Sequence, residues 1–195
     1  MIKARYRFPS TSPGAILRDE GRAGSALGIE AGQFTNQGHL VPDAMVNRLV
    51  DAWLGDGRTE FVFDGYPRTL GQAAALDGML ARRGTPLEVV LSLEVDFPTI
   101  RDRMERRLIC SGCGNSVSVG LHVASQSDPC PNCGGVLVKR DDDTVETLDL
   151  RMREYAEKTE PVISYYAKQG LVRPVESARR PEEVFAPVRS ILEGA

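Results

Sequence analysis

Short β-branched and aromatic runs alternate along this chain with longer stretches whose apolar residues recur every three or four positions. Glu60–Phe63, Leu87–Val95 and Leu171–Val175 have the length and composition of buried strands, and Arg7-Phe8 reads as the end of another before the turn Pro9–Gly14. The helical period predicts a helix from Ala15-Ile16-Leu17-Arg18, a second around Ser25–Thr35, and a third over Ala44–Leu54 behind Asp43 as cap or first-turn acid. Further helices are expected over Thr69–Arg83, Asp96–Arg107, Val145–Gln169 and Pro181–Leu192. Strands alternating with helices predict an α/β fold, a doubly wound parallel sheet with helices on both faces. A loop-rich stretch, Cys110–Lys139, interrupts it, and no repeat or low-complexity linker divides the chain.

Composition narrows the function classes. There are 24 basic and 27 acidic residues, a formal charge of −3, so no global field calls for nucleic acid or an anionic membrane. No stretch approaches the roughly 20 apolar residues of a membrane span. The start, Met1-Ile2-Lys3-Ala4-Arg5-Tyr6, lacks the apolar core of a secretory signal, so a soluble cytoplasmic protein is expected. Only Lys3, Lys139, Lys158 and Lys168 are lysines; every other basic residue is arginine, the side chain suited to bidentate phosphate recognition.

All four cysteines fall in one pattern, Cys110-x2-Cys113 and Cys130-x2-Cys133, with sixteen residues between the pairs. Each pair is followed by glycine, Gly114 and Gly134-Gly135. That is the spacing of a closed, structural four-thiolate zinc site, and a cytoplasmic chain disfavours disulfides. Fe²⁺ or Co²⁺ would suit the same ligands, and His122 between the pairs reads as a surface histidine. An insert of about 30 residues is too small to be held by a core alone, so metal binding would supply its folding energy. From Asn115 to Val123 there is no arginine or lysine, which disfavours a nucleic-acid-binding finger.

The basic residues gather instead at the hinges of the insert. Arg103 and Arg107 lie four apart on one helix face before it; Arg140, with Asp141-Asp142-Asp143, and Arg151 follow it. Arginines flanking a mobile flap suit a lid closing over a polyphosphate, with Asp142 or Asp143 orienting an arginine. The run Phe61-Val62-Phe63-Asp64-Gly65-Tyr66-Pro67-Arg68-Thr69 puts a carboxylate and a guanidinium at the carboxyl end of a strand, where open α/β sheets hold ligands. An acid there can hold Mg²⁺ through water, and an arginine can clamp a phosphate.

This run, together with Gly14–Arg18, Gly24–Gly28, Gln37–Asp43, the cysteine quartet and Arg140 through Arg151, resembles the adenylate kinase family of the long, zinc-lidded type. The resemblance covers most of residues 9–193. It implies a P-loop-kinase-like core over 1–107 and 141–195, with nucleoside-monophosphate-binding helices in 15–55, and a zinc-ribbon-like lid over 108–140. The implied reaction is ATP + AMP = 2 ADP, an in-line, Mg²⁺-dependent phosphoryl transfer without a covalent intermediate. Arg18 and Arg68 would hold the AMP phosphate. Gln72 and the backbone of Gly38, His39, Leu40 and Val41, with Gly65 nearby, would bind the rest of AMP. Asp64 would position Mg²⁺. Arg103, Arg107, Arg140 and Arg151 would close on the ATP phosphates and the transferring group, with Ser177 near the adenine of ATP. The implied partners are small nucleotides, and a monomer is expected.

Departures bound that expectation. The chain contains no G-x-x-x-x-G-K-[ST], the loop that opens such kinases, and Met1–Arg5 reads as the tail of the helix that would follow it. The strand preceding that loop is central in the family's sheet, so two unpaired strand edges and impaired activity are expected. Ser12-Pro13-Gly14-Ala15 replaces the usual Ser-Thr-Gly-Asp, and the proline removes a hydroxyl and an amide donor. Leu108 stands where a second arginine is usual, with Arg106 a turn earlier, and Ser177 replaces a glycine. A non-catalytic AMP-binding or zinc-stabilised interaction protein is the alternative.

Overall fold

The computed structural model describes residues 1–35, 41–55, 57–140 and 143–194; the side chains of Lys3, Ala4, Arg18, Asp19, Leu27 and Thr35 lie outside the description. The parallel sheet is built in two halves. Strand β1 (Ser10–Thr11) pairs with β2 (Val62–Phe63) in the register Ser10↔Val62, Thr11↔Phe63. Strand β3 (Val90–Glu94) pairs with β7 (Val172–Glu176) from Val90↔Val172 to Glu94↔Glu176. Among the described residues no ladder joins β2 to β3, so the parallel sheet is seen as two strand pairs. The first strand sits at Ser10–Thr11, not at Arg7-Phe8, where Arg7 adopts φ 58°.

Helices α1 (Ile2–Tyr6), α2 (Pro13–Arg22), α3 (Ala26–Thr35) and α4 (Asp43–Leu54) precede β2. The Ser12 hydroxyl accepts from the Ala15 N–H at 3.0 Å, so Ser12-Pro13 starts α2 with the hydroxyl as cap and the proline where no donor is needed. α2 and α3 meet backbone to backbone: a Cβ on Gly28 would lie 2.3 Å from Glu20 C and Gly21 N, so only glycine fits. α5 (Leu70–Arg83) is capped by Thr69. Its Leu76, Met79 and Leu80 pack with Val46, Val50 and Leu54 of α4, Leu17, Ala31, Val41 and Tyr66 to form the main core. Trp53, Phe61 and Phe63 close its edge.

After β3 and α6 (Phe97–Glu105) comes an antiparallel unit rather than loop: β4 (Arg107–Cys110) pairs with β5 (Ser116–Ser118) and with β6 (Leu137–Val138). Leu108, Cys110, Val117, Cys130 and Leu137 give it a core of its own. The single helix expected over Val145–Gln169 is divided into α7 (Val145–Glu154), a π-helical turn (Tyr155–Thr159) and α8 (Glu160–Ala167). Pro161 has no N–H to give and its ring crowds the carbonyl four residues back, so the coil widens before it. Tyr166 is fully buried; its hydroxyl donates to Asp77 Oδ1 at 3.1 Å while Tyr165 donates to Oδ2 at 2.7 Å, which fastens α8 to α5. α9 (Pro181–Glu193) closes the chain against β7.

Candidate active site and metal centre

The backbone of the antiparallel unit brings all four cysteines to one point. Their sulfur atoms lie within 4.8 Å of one another, with Cys110 to Cys133 at 3.5 Å and Cys113 to Cys130 at 3.8 Å. A tetrahedral zinc–thiolate site with bonds of about 2.3 Å requires sulfurs about 3.8 Å apart, so the four atoms stand at ligating separation. Cys110 and Cys130 are buried and Cys113 and Cys133 exposed. The Asn132 side chain donates to Cys113 Sγ at 3.5 Å; this bond, with the Asn115 N–H, lowers the Cys113 pKa to about 6. That favours the Cys113 thiolate, the form a metal needs, whereas the pKa of the Cys133 thiol, hydrogen-bonded to Cys113 and Cys110, is raised.

The arginines flanking this unit are organised by one acid. Arg107, at the start of β4, donates Nε to Asp143 Oδ2 at 2.8 Å and Nη2 to Oδ1, a bidentate pair. Arg151 on α7 reaches the same Oδ1 at 3.8 Å. The Asp143 side chain is only 2 % exposed, covered by two guanidinium groups that are each 33 % exposed. Arg140 joins the group through the backbone, since the Asp143 N–H donates to its carbonyl at 3.2 Å. Asp142 lies outside the described residues, so the expected orienting acid is represented by Asp143.

At the end of β2, Asp64 is exposed and its N–H donates to the Thr11 carbonyl at 2.9 Å. The turn folds the Arg68 side chain back on Gly65, the residue after Asp64, with Nε donating to the Gly65 carbonyl at 2.8 Å. Arg68 as a residue is open to solvent, yet crowding of its guanidinium lowers its pKa; Asp64 opposes that shift and Arg151 adds to it. Arg107, Asp143 and Arg151 thus form one ion cluster, and Arg151 and Asp64 are the charges that act on Arg68. The Thr159 hydroxyl, on the π-helical turn, donates to the Arg68 carbonyl at 3.1 Å and holds α7 and α8 against the same loop.

This mixed parallel fold, with a four-cysteine unit inserted beside converging arginines, can be compared with known proteins. A sequence profile of adenylate kinase matches residues 1–171. This chain belongs to the adenylate kinase family. It is 38 % identical over 191 residues to an adenylate kinase of Thermodesulfovibrio yellowstonii, covering 97 % of this chain and 89 % of that one. It is likewise 38 % identical over 195 residues to one from Fervidobacterium nodosum, covering 99 % and 89 %. With one from Methanosarcina barkeri it is 37 % identical over 190 residues, covering 96 % and 88 %. The fold is accordingly that of the P-loop kinases, and the family is one of phosphotransferases. No helix among the described residues is long and apolar enough to cross a membrane.

Within this adenylate kinase framework, Arg103 of α6 donates to the carbonyls of Ser177 (2.5 Å) and Arg179 (3.2 Å), so the structure brings Arg103 and Ser177 together. Ser177 is buried and its hydroxyl donates to the Glu94 carbonyl at 3.0 Å, tying the end of β7 to the end of β3. Val41 is buried in the main core. Gly38, His39 and Leu40, and the guanidinium of Arg18, lie outside the described residues. Gln72 is buried at 3 % exposure with both polar atoms engaged, Nε2 donating to Asp43 Oδ1 at 2.7 Å and Oε1 accepting from the Arg68 N–H at 2.8 Å. Asp43 and Thr69 complete that arrangement, yet the motif reading assigned neither to the site. The Thr69-x-x-Gln72 spacing at a helix start was the signal available for Thr69.

Proposed function

We propose that this chain carries the acceptor site and lid of an adenylate kinase, acting in the Mg²⁺-dependent reaction ATP + AMP = 2 ADP. The carrying observation is the Arg107–Asp143–Arg151 cluster at the lid hinge, whose helical segment is fastened by Thr159 to the Arg68 loop at the end of a parallel strand. Arg68 and Arg18 hold the AMP phosphate, and Gln72 with Gly65 and the 38–41 backbone binds the rest of AMP. Arg107, Arg140 and Arg151 meet the transferring group, and Arg103 with Ser177 serves the ATP side. Catalysis in such a site is positioning and charge stabilisation, and a closed lid keeps water from competing with AMP. Asp64, one exposed carboxylate at a strand end, suits Mg²⁺ held through water, and Mg²⁺ neutralises phosphate charge when bound. The four thiolates suit a structural zinc in the lid, 108–140, between the core segments 1–107 and 141–195, with residues 15–55 binding the monophosphate. The ligands are small nucleotides, and the working form is a cytoplasmic monomer.

These 195 residues contain no G-x-x-x-x-G-K-[ST]. The loss of one preorganised donor costs about 2.7–4 kcal/mol of transition-state stabilisation, so turnover by this chain alone is low. The same fact favours the second reading, AMP binding without turnover. A coupled assay of ADP formation from ATP and AMP, beside calorimetric titration with AMP, separates them. AMP binding with weak turnover supports the proposal. Binding without detectable turnover supports the second reading, and a chain that binds neither nucleotide refutes both.

A further inference from the structure

Resting on the reading that Gln72 faces the base of the acceptor, we infer that Asp43 sets purine specificity by fixing which way round the Gln72 amide is presented. The oxygen and nitrogen of an amide exchange places by a simple flip, and normally only the surroundings decide between them. Here the surroundings leave one answer. On one side stands a carboxylate, Asp43 Oδ1, which only accepts, 2.7 Å from Nε2. On the other stands a backbone N–H, that of Arg68, which only donates, 2.8 Å from Oε1. A flipped amide would set acceptor against acceptor and donor against donor.

The carboxylate is itself held. Its other oxygen, Oδ2, accepts from the Thr69 hydroxyl at 2.6 Å, and that hydroxyl accepts from the Gln72 N–H at 3.1 Å. The hydrogen-bond direction is therefore fixed around a closed ring of Gln72, Thr69 and Asp43, across the junction of α4 and α5. Gly71 makes the junction possible: a Cβ there would lie 2.9 Å from Asp43 Oδ2. Gln72 is 3 % exposed, so the amide belongs to a wall and not to a mobile side chain.

After these bonds Gln72 retains one N–H on Nε2 and one lone pair on Oε1. A base meeting both must bring an acceptor to the first and a donor to the second. The Watson–Crick edge of a 6-aminopurine does so, through N1 and the 6-amino group. A 6-oxopurine reverses both, with N1–H and O6. The ligand class selected is a 6-aminopurine nucleoside monophosphate, and Asp43, which touches no ligand, is a positioning residue. A site with fixed polar partners rejects an isostere that leaves them unpaired far more strongly than an apolar pocket rejects a misfit.

AMP and inosine monophosphate differ only at these two positions, so their affinity ratio is the readout, measured by titration calorimetry on the full chain. Asp43→Asn no longer excludes the flipped amide on the Nε2 side, leaves the Arg68 N–H alone to hold Gln72, and narrows the AMP preference by up to about tenfold, one hydrogen bond's worth. Gly71→Ala, which displaces the carboxylate without removing its charge, narrows it in the same direction. An unchanged ratio in both variants, with Gln72→Ala collapsing it, overturns the role of Asp43 and leaves the base-reading role of Gln72 standing. An AMP affinity and ratio untouched by Gln72→Ala overturns the base-reading role, and the inference with it.

Discussion

Replacing Asp143 by asparagine removes one charge from the point where Arg107 and Arg151 meet, with almost no change of shape. In the native chain this carboxylate is 2 % exposed and receives a bidentate guanidinium plus a second at 3.8 Å. Breaking a buried ion pair costs about 3–5 kcal/mol when the surviving charge stays buried. Both arginine side chains are 33 % exposed and turn partly into water, which removes part of that penalty. The expected loss for Asp143→Asn is about 2 kcal/mol, well above the 0–1 kcal/mol of a surface pair. Urea unfolding at neutral pH measures it as a lowered midpoint at constant slope. With that negative charge gone, the two guanidinium groups attract anions more strongly, so added pyrophosphate stabilises the variant more than the native chain. A loss under about 0.5 kcal/mol, with equal pyrophosphate response in both proteins, would refute the view that Asp143 organises these arginines.

Zinc stripped with a chelator, or Cys130→Ser, should unfold the 107–138 unit while the helical core persists; metal analysis should give one zinc per native chain, and hydrogen exchange should locate the loss between β4 and β6. Gly28→Ala puts a Cβ 2.3 Å from the α2 backbone, forces α2 and α3 apart, and should cost about 1–3 kcal/mol, read as a lower thermal midpoint. Tyr66 and Tyr166 carry pKa values raised above the ordinary 10 by desolvation first, then by Asp43 and Asp51 for Tyr66 and by Asp77 for Tyr166. The unfolded chain therefore ionises first, so stability is full below pH 10 and falls as pH rises above it. Tyr166→Phe should flatten that alkaline fall while costing about 1 kcal/mol at neutral pH through the lost bond to Asp77.

What was legible in the sequence was what is encoded at short range or by demanding chemistry. Four thiolates around one ion tolerate few spacings, so two C-x2-C pairs announced the sulfur cluster before any strand of the insert was visible. The strands β4, β5 and β6 span four, three and two residues, too short to show a period of two, and β4 follows α6 after one residue. Pro161 was a readable breaker inside the long helical run, yet one proline does not say whether a helix stops or widens; Thr159 docking on the Arg68 carbonyl, 91 positions away, goes with the second outcome. The same division runs through the site. Thr69-x-x-Gln72 is a local capping pattern, but its glutamine reaches the Arg68 N–H rather than that of Thr69, and its other atom finds Asp43 29 residues upstream. No periodicity carries such a pairing. It exists because the first turns of α4 and α5 abut where Gly71 leaves room, so residues that bind ligand can be read from motifs, while those that aim them are set by packing between distant segments.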